Sequence, residues 1–286
     1  MRNHYSINLL CQILKVSPSG YYKWFKNKDK ISAEESEIVS NIQKLQIKHR
    51  YRMGSERMTY EYQRIYNKKY NHKRIARIME KYGLLSVVRP KQRKYGISKS
   101  VYIRNKLNRN FNASSPYDKL ATDISEFNKS GRKVYLSIIK DFYTKVIEAV
   151  EIGYSPSLKL VVKTINQVKD KALEYGTFFH SDQGFQYTNP VVQKILKENN
   201  FLQSMSRKGT PIDNSPTESF FSTLKSELIY NKNIQIPNDK ALIQEIINYI
   251  YYYNYERIQK GLGYLTPIEF KEKYESEQRE RDNKLT

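Results

Sequence analysis

The stretch that decides the fold is KLATDISEFNKSGRKVYLSIIKDFYTKVIEAVEIGY (residues 119–154). It contains three apolar-rich runs, KLATDISEF, RKVYLSIIKDF and KVIEAVEIGY, which are separated by short polar turns. Successive runs of this kind predict three β-strands joined as an antiparallel meander. Asp123 lies inside the first run, and a carboxylate among apolar residues on a strand costs free energy unless something compensates its charge. The stretch therefore predicts a sheet that carries an acidic side chain.

The residues that follow this stretch alternate between helical and extended patterns. The segment SPSLKLVVKTINQVKDKALEY (155–175) predicts an amphipathic helix that is capped by Ser155 or Ser157. A strand, a helix, a strand and two helices are then expected, at about 176–184, 189–200, 201–206, 215–230 and 239–257. This order of elements is the one expected of a ribonuclease-H-like mixed α/β domain.

Positive charge is concentrated in the first part of the chain. The 286 residues include 50 Lys and Arg and 29 Asp and Glu, which gives a formal net charge of +21. Residues 1–116 carry 26 of the basic and 7 of the acidic side chains, whereas residues 117–286 carry 24 and 22. Such a surplus indicates a polyanionic partner, since neutralised phosphates release condensed counterions. The alternative is a basic protein that its charge keeps soluble.

The basic part of the chain reads as helical. In SINLLCQILKVSPSGYYKWFK (6–26), two short helices flank a tight turn, which suits a helix-turn-helix or an ordinary helical hairpin. A second helical group, at about 33–85, ends in NHKRIARIMEKYGLL, where Ile75, Ile78 and Met79 form an apolar stripe and a glycine ends the helix. The basic stretch that follows is expected to lie along a nucleic-acid backbone or to act as a solvated tether.

These patterns divide the chain into five predicted regions. They are an N-terminal helix-turn-helix (1–32), a second helical DNA-binding region (33–88), a basic linker (89–116), a ribonuclease-H-like core (117–275) and a charged C-terminal tail (276–286). The single cysteine, Cys11, excludes an intramolecular disulfide and any zinc site built from cysteines. No apolar run approaches the ~18 residues of a membrane span and no secretory pattern opens the chain, so a cytoplasmic location is expected.

Three carboxylates are candidates for one site. Asp123 lies on the first predicted strand, Asp182 follows the fourth in FFHSDQG, and Glu218 lies near the start of a later helix, with 35 residues between the last two. Ligand sites in α/β sheets tend to lie at the ends of strands. Three oxygen ligands without histidine or cysteine suit a hard cation such as Mg²⁺. A pair of such ions would serve phosphodiester chemistry without a covalent protein nucleophile.

Each carboxylate also has a structural explanation. Ser215-Pro216-Thr217-Glu218 fits a capping box with Ser215 at the N-cap, in which Glu218 serves only the helix. Asp182 can form a turn with Gly184, and Asp123 can simply be a polar strand residue. The three acids in this order on these elements are more specific than any one of them.

Four segments resemble a known family: TDISEF, FHSDQGFQYTN, SMSRKG with DNSPTESFFSTLKSEL, and YYYNYERIQKGLGYLTPIEF. They are similar to the catalytic part of insertion-sequence transposases of the IS-three family, the OrfB product, which share the integrase catalytic core with retroviral integrases. The resemblance extends to the N-terminal part, where LKVSPSGYYKWFK and NHKRIARIMEKYGL look like that family's helical regions. It therefore covers nearly the whole chain.

The resemblance implies roles for particular residues. Asp123, Asp182 and Glu218 match the family's DDE triad, which would hold two Mg²⁺ ions, with Mn²⁺ as a substitute. His180 and Asn214 match motif positions beside the triad, where orienting Asp182 and capping the helix are the expected tasks. The DNA-contacting side chains are expected among the basic residues of all regions, with a plain solvated lysine as the alternative for Lys225: Lys23, Lys73, Arg74, Arg77, Arg93, Arg207, Lys208, Lys225 and Arg257.

The implied function is that of a bacterial DNA transposase. It would cut the ends of an insertion sequence and join them to target DNA, so double-stranded DNA with terminal inverted repeats is the expected partner. A homodimer or higher oligomer on DNA is expected, together with fusion to an upstream OrfA product by frameshifting. Two rivals remain: a catalytically inactive regulator that binds DNA ends, and a ribonuclease-H-like nuclease without strand transfer.

Overall fold

A five-stranded mixed sheet forms the centre of the C-terminal part of the chain. The computed structural model describes residues 6–27, 32–87, 110, 112–129, 131–173, 176–207 and 214–285. The strands are β1 (Lys119–Phe127), β2 (Val134–Asp141), β3 (Ile147–Gly153), β4 (Thr177–Ser181) and β5 (Phe201–Met205). Their order is β3-β2-β1-β4-β5, with β1, β2 and β3 antiparallel and β4 and β5 parallel to β1. The predicted meander and the ribonuclease-H-like mixed α/β fold are confirmed.

Helices cover both faces of this sheet because the strands alternate their side chains. Ile138 of β2 points into one apolar cluster and its neighbour Ile139 into another. The first cluster lies under α8 (Ser215–Leu224) and α9 (Asp239–Tyr255), and the second under α6 (Leu158–Asn166) and α7 (Pro190–Glu198). Burial on both faces explains why apolar residues occur at neighbouring positions of β2, such as Ile138 and Ile139.

Two helix boundaries differ from the predictions. The helix expected over 155–175 is α6, which starts after the N-cap residue Ser157 but ends at Asn166, with a short 3₁₀ turn at Lys169–Lys171. The later helix α8 begins at Ser215 with Asn214 at the N-cap, so the predicted capping box with Ser215 at the N-cap is wrong by one residue. The side chain of Asn214 makes no capping hydrogen bond, because its amide is directed towards β1.

The N-terminal part contains five helices in the described residues. Two short helices, α1 (Ile7–Ile13) and α2 (Pro18–Asn27), form the predicted helical pair, and Ser17 Oγ caps α2 by accepting from the Gly20 amide at 3.0 Å. Three longer helices follow: α3 (Ala33–Lys48), α4 (Ser55–Tyr66) and α5 (His72–Lys81). Their shared core includes the predicted stripe of Ile75, Ile78 and Met79, and Gly83 ends α5 with a φ of +67°. Most of the predicted linker lies outside the described residues.

The three-helix unit α3–α5 contacts the sheet domain through a buried ion cluster around Glu227. This residue lies in a π-helical turn (Lys225–Ile229) that continues α8. Its carboxylate accepts from Arg257 Nη2 at 2.9 Å, Arg57 Nη2 at 3.1 Å and Tyr249 Oη at 3.1 Å. Arg52 Nε donates to the Glu227 carbonyl at 3.2 Å. Burial alone would raise the pKa of Glu227, but the positive charges of Arg257 and Arg57 outweigh it and lower the pKa.

A long helix, α10 (Pro267–Leu285), ends the described chain. It includes most of the predicted charged tail (276–286), which is therefore helical up to Leu285. Near its start, Lys271 Nζ donates to Glu148 Oε1 at 2.9 Å and to Tyr117 Oη at 3.0 Å. These bonds hold α10 against β3 and the segment before β1. Of the helices in the described ranges, none is both long and apolar enough to cross a bilayer.

We predict that Arg257→Met lowers the free energy of unfolding by about 3 kcal/mol, since removing one partner of a buried ion pair leaves the other charge poorly compensated. Urea denaturation measures this value. The matched control is Lys260→Met, which removes an exposed partner of Glu56 and should change it by less than about 1 kcal/mol. Equal effects of the two substitutions would contradict a stabilising role for the buried cluster.

Candidate active site

The parallel pairing of β1 with β4 brings two aspartates together. Ala121 on β1 pairs with His180 on β4. Continuing this register by two residues places Asp123 level with Asp182, where β4 has just ended. Both aspartates line one cleft of about 190 Å³, together with Ile124, Glu126, Tyr135, Pro156, Gln186 and Tyr187.

The carboxylate of Asp123 is half-buried and surrounded by other acids. Its Oδ1 accepts a hydrogen bond from the Ile124 amide at 2.7 Å. Burial and the negative charge of Asp182 raise the pKa of Asp123 to about 7, with a smaller contribution from Glu218 in the same direction. The hydrogen bond from Ile124 and the positive charge of Lys225 oppose this rise. Asp182 and Glu218 are therefore both close enough to influence Asp123.

Asp182 forms a turn and faces the cleft at the same time. Its Oδ1 accepts from the Gly184 amide at 2.9 Å, as expected of an Asp two residues before a turn glycine. A Cβ at position 184 would lie 2.9 Å from both Asp182 Oδ1 and Gln186 Oε1, so this close approach requires glycine. The residue is exposed at the edge of the cleft, yet loss of water around its carboxylate raises the pKa of Asp182. The turn and the site are compatible roles.

Glu218 lies in the first turn of α8 and is exposed. Its helix rests on β1, and Lys140 Nζ of β2 donates to the Pro216 carbonyl in the same turn at 3.1 Å. Within the described ranges, no three His, Cys, Asp or Glu side chains are arranged closely enough to hold a metal ion. The structure thus brings Asp123 and Asp182 into one cleft and places Glu218 within electrostatic reach of Asp123, short of a shared set of ligands.

Buried hydrogen bonds fix the strand that carries Asp123. The hydroxyl of Thr122 donates to the Ile138 carbonyl at 2.8 Å and lies 3.1 Å from Tyr187 Oη. Tyr187 is 1 % exposed, and its burial and the negative charge of Asp123 raise its pKa well above the usual value. The phenol is therefore a neutral group beneath the cleft floor.

The two residues predicted beside the triad occupy different surroundings. His180 is fully buried, and its Nδ1 lies 3.1 Å from Ser204 Oγ on β5. Asn214 is 4 % exposed, and its Nδ2 lies 3.5 Å from the Thr122 carbonyl, a long contact. Its Oδ1 has no hydrogen-bond partner among the residues that the structure describes. Asn214 therefore faces β1 next to Asp123 and does not cap α8 through its side chain.

The predicted DNA-contacting residues are distributed over several surfaces. Lys23 on α2, Lys73 and Arg77 on α5, and Arg207 after β5 are exposed. The guanidinium of Arg74 lies 2.9 Å from Glu34. Arg93 and Lys208 lie outside the described residues.

Two further predicted contacts lie close to acidic groups. Lys225 is half-buried, with Nζ 5.3 Å from the centre of the Phe127 ring, and its charge reaches Asp123. Arg257 is bound by Glu227 through both Nε and Nη2, which favours a structural role over a phosphate contact.

Lys140 is a residue near the site that the sequence reasoning missed. It is 6 % exposed and connects β2 to the first turn of α8. A lysine inside the apolar run YLSIIKDF was a signal of the same kind as Asp123 in its own run. Its partner on α8 is distant in sequence, so the pattern alone gave no role.

Comparisons with known proteins agree with this architecture. Two models described as "Integrase core domain" match residues 113–211 and 218–274, and one described as "HTH-like domain" matches residues 33–92. The first two together span the sheet and its helices, and the third covers α3–α5.

Three relatives cover most of the chain. A transposase-like protein of Haemophilus influenzae is 39% identical over 204 residues, which cover 71% of this chain and 94% of the relative. The putative transposase InsK for insertion sequence element IS150 of Escherichia coli is 33% identical, and the match covers 95% of each chain. The transposase InsF for insertion sequence IS3A of the same species is 29% identical over 94% of this chain and 95% of its own. With its integrase core and its HTH-like domain, the chain belongs to the insertion-sequence transposases of the IS-three family.

Proposed function

We propose that the chain cuts DNA at the ends of an insertion sequence and transfers the cut strands to a second duplex, with Asp123, Asp182 and Glu218 as its acidic triad. Family membership makes it a transposase, a polynucleotidyl transferase that acts in DNA integration. The observation that carries the residue assignment is the level placement of Asp123 and Asp182 in one cleft, with the charge of Glu218 acting on Asp123.

A divalent cation fits the chemistry of this cleft. Burial of Asp123 and the negative charge of Asp182 raise the pKa of Asp123, and a cation between the acids would offset both effects. Carboxylate oxygens are the ligands that Mg²⁺ prefers, and Mn²⁺ is the expected substitute. When bound, two such ions would lower the pKa of an attacking water and stabilise the leaving oxygen. Asp123 and Asp182 would hold them, and Glu218 would complete the set.

The chain's own residues would prepare the site for in-line attack. The hydrogen bonds of Thr122 and Tyr187 fix β1, so that the carboxylate of Asp123 stays at the cleft. In the first step, water attacks a phosphodiester phosphorus and the 3′-oxygen leaves as a free 3′-hydroxyl. In the second step, that hydroxyl attacks the phosphorus of a target phosphodiester. A new P–O bond joins the element's 3′ end to the target's 5′-phosphate, and the target's own 3′-oxygen leaves as a free 3′-hydroxyl. Lys225 lies beside the acids, where it would contact the phosphate backbone.

The proposed partners follow from charge and from family membership. The basic N-terminal part and the exposed Lys73 and Arg77 of α5 would bind double-stranded DNA, first at the element's inverted repeats and then at the target. Two ends must be joined, so we infer a homodimer or higher oligomer on DNA, with an upstream OrfA product as a frameshift fusion. The protein would act in the bacterial cytoplasm at the nucleoid.

We predict that Glu218→Gln lowers the rate of Mg²⁺-dependent cleavage by more than ~100-fold. Loss of a residue that only supports a metal ligand costs up to ~100-fold in activity, and loss of the ligand itself should cost more. Folding and binding to end DNA should persist, since the residue is exposed. Cleavage of a labelled end duplex measures the effect, and Glu198→Gln on α7 is the exposed control. Undiminished cleavage by Glu218→Gln would reject the triad.

A pre-cut end with a free 3′-hydroxyl separates the rival functions. A transposase joins it to a supercoiled plasmid, whereas a nuclease leaves it unjoined and an inactive regulator only binds it.

We predict that Asp123→Asn changes how stability depends on pH when metal is chelated. The folded pKa of about 7 lies above the ordinary value of 3.8, so the wild-type chain loses stability as pH rises between these values. The variant lacks this loss and should gain about 4 kcal/mol relative to wild type between pH 4 and pH 8. Urea denaturation in EDTA measures it, with the exposed Asp170→Asn as control. Parallel pH profiles of Asp123→Asn and wild type would contradict the buried repulsion.

We predict that Lys225→Ala weakens binding to end DNA and reduces the salt slope by about one, because one phosphate contact releases about one counterion. Binding titrations at several salt concentrations measure the slope. The control is Lys163→Ala, which removes an exposed lysine of α6 that pairs with Glu151 of β3. An unchanged slope for Lys225→Ala would assign this lysine to the acids of the cleft alone.

A further inference from the structure

A buried lysine connects the two parts of the polypeptide that carry the triad. Lys140 lies on β2, next to Ala121 of β1, and Ala121 is two residues before Asp123. Its Nζ donates to the Pro216 carbonyl at 3.1 Å, and Pro216 is two residues before Glu218. One side chain thus spans from the strand beside the first acid to the helical turn that carries the third.

The surroundings of Lys140 are unusual for a charged group. The residue is 6 % exposed, and its Nζ lies 5.6 Å from the centre of the Tyr253 ring on α9. Within the described ranges, its partners are a carbonyl and this tyrosine, with no carboxylate among them. Lys145 and Arg257, which also lie near Tyr253 or Lys140, add further positive charge. Burying an ammonium group in this way costs free energy, and an apolar side chain of similar volume is often as stable.

Stability alone therefore does not explain why a lysine occupies this buried position. A role in placing the first turn of α8 does explain it. The apolar anchors of this helix, Phe220, Phe221 and Leu224, lie in its middle and end. In the first turn, Lys140 donates a hydrogen bond to the Pro216 carbonyl, and Asn214 makes a long contact with the Thr122 carbonyl of β1. The stronger of the two is the charged donor.

We propose that Lys140 is a positioning residue, which holds the first turn of α8 so that Glu218 can join Asp123 and Asp182 at the cleft. It acts through the Pro216 carbonyl and touches neither substrate nor reacting atoms. This inference rests on the proposed function for the role of Glu218, but the contact itself does not depend on it.

The test compares Lys140→Met with wild type in the full-length chain without DNA. We expect the variant to fold with an unchanged or higher melting temperature, since the buried charge is gone. Hydrogen exchange in a peptide over 214–224 should be at least ~5-fold faster, because the first turn loses an anchor. A calorimetric titration with Mn²⁺ should show an affinity about 10-fold lower than that of wild type, as expected when a residue that orients a metal ligand is lost. The control is Lys197→Met on α7, an exposed lysine.

Strand transfer gives a second readout. A positioning defect should lower kcat by about 10-fold and leave the KM for DNA within about 2-fold of wild type. Wild-type exchange and Mn²⁺ affinity in Lys140→Met would overturn the inference. If that variant does not fold, Lys140→Leu, which also lacks an N–H donor, is measured in its place under the same criterion.

The two hypotheses fail differently. If the Glu218→Gln variant binds Mn²⁺ as tightly as the wild-type chain does, the triad assignment fails. Faster exchange of the first turn in Lys140→Met would still support the anchoring contact. If Glu218→Gln abolishes Mn²⁺ binding while Lys140→Met changes nothing, the triad stands and the positioning role is rejected.

Discussion

Mutual repulsion among carboxylates that are held at one edge of the sheet is the constraint on which the rest of this structure depends. The parallel pairing of β1 with β4 sets Asp123 level with Asp182, which directly follows β4. The hydrogen bonds of Thr122 to β2 and of Asp182 to its own turn fix them further. A fold that holds like charges together without a compensating cation is less stable for it, and such an arrangement is typical of a site that binds one. Burial of Asp123 and the negative charge of Asp182 together raise the pKa of Asp123.

The third acid is held differently from the other two. Asp123 and Asp182 belong to the sheet, whereas Glu218 belongs to a helix that packs on the sheet by apolar contacts over its later turns. Its carboxylate is exposed and at the N-terminal end of α8, where the helix dipole favours negative charge. The proposed triad would therefore combine two acids at the edge of the sheet with a third whose approach depends on how its helix packs. This difference explains why the few contacts of the first turn of α8 are important for the position of Glu218.

Much of the fold could be predicted from the chain because strand and helix periodicity are local signals. The three-strand meander, the buried stripe of α5 and the strand that ends at Asp182 all follow from short runs of residues. The end of α6 at Asn166 and the N-cap of α8 at Asn214 did not, since boundaries depend on what the flanking residues contact. Arg257 is paired with Glu227, which is 30 residues away in sequence, and Lys140 is bonded to Pro216, which is 76 residues away. Pairings over such distances are set by topology and leave no mark on either segment alone.

The cluster around Glu227 has a consequence for how this chain can be divided. Arg52 and Arg57 of the HTH-like domain meet Glu227 and Arg257 of the integrase core, and Ile258 packs among the apolar residues of α3–α5. The HTH-like domain and the integrase core therefore share buried side chains at the boundary between them. Excising the core at the linker would strip Glu227 of two cationic neighbours and uncover apolar surface. Grafting the HTH-like domain of a relative onto this core would succeed only if the facing residues were exchanged as a set, so the two modules are expected to evolve as one inherited block.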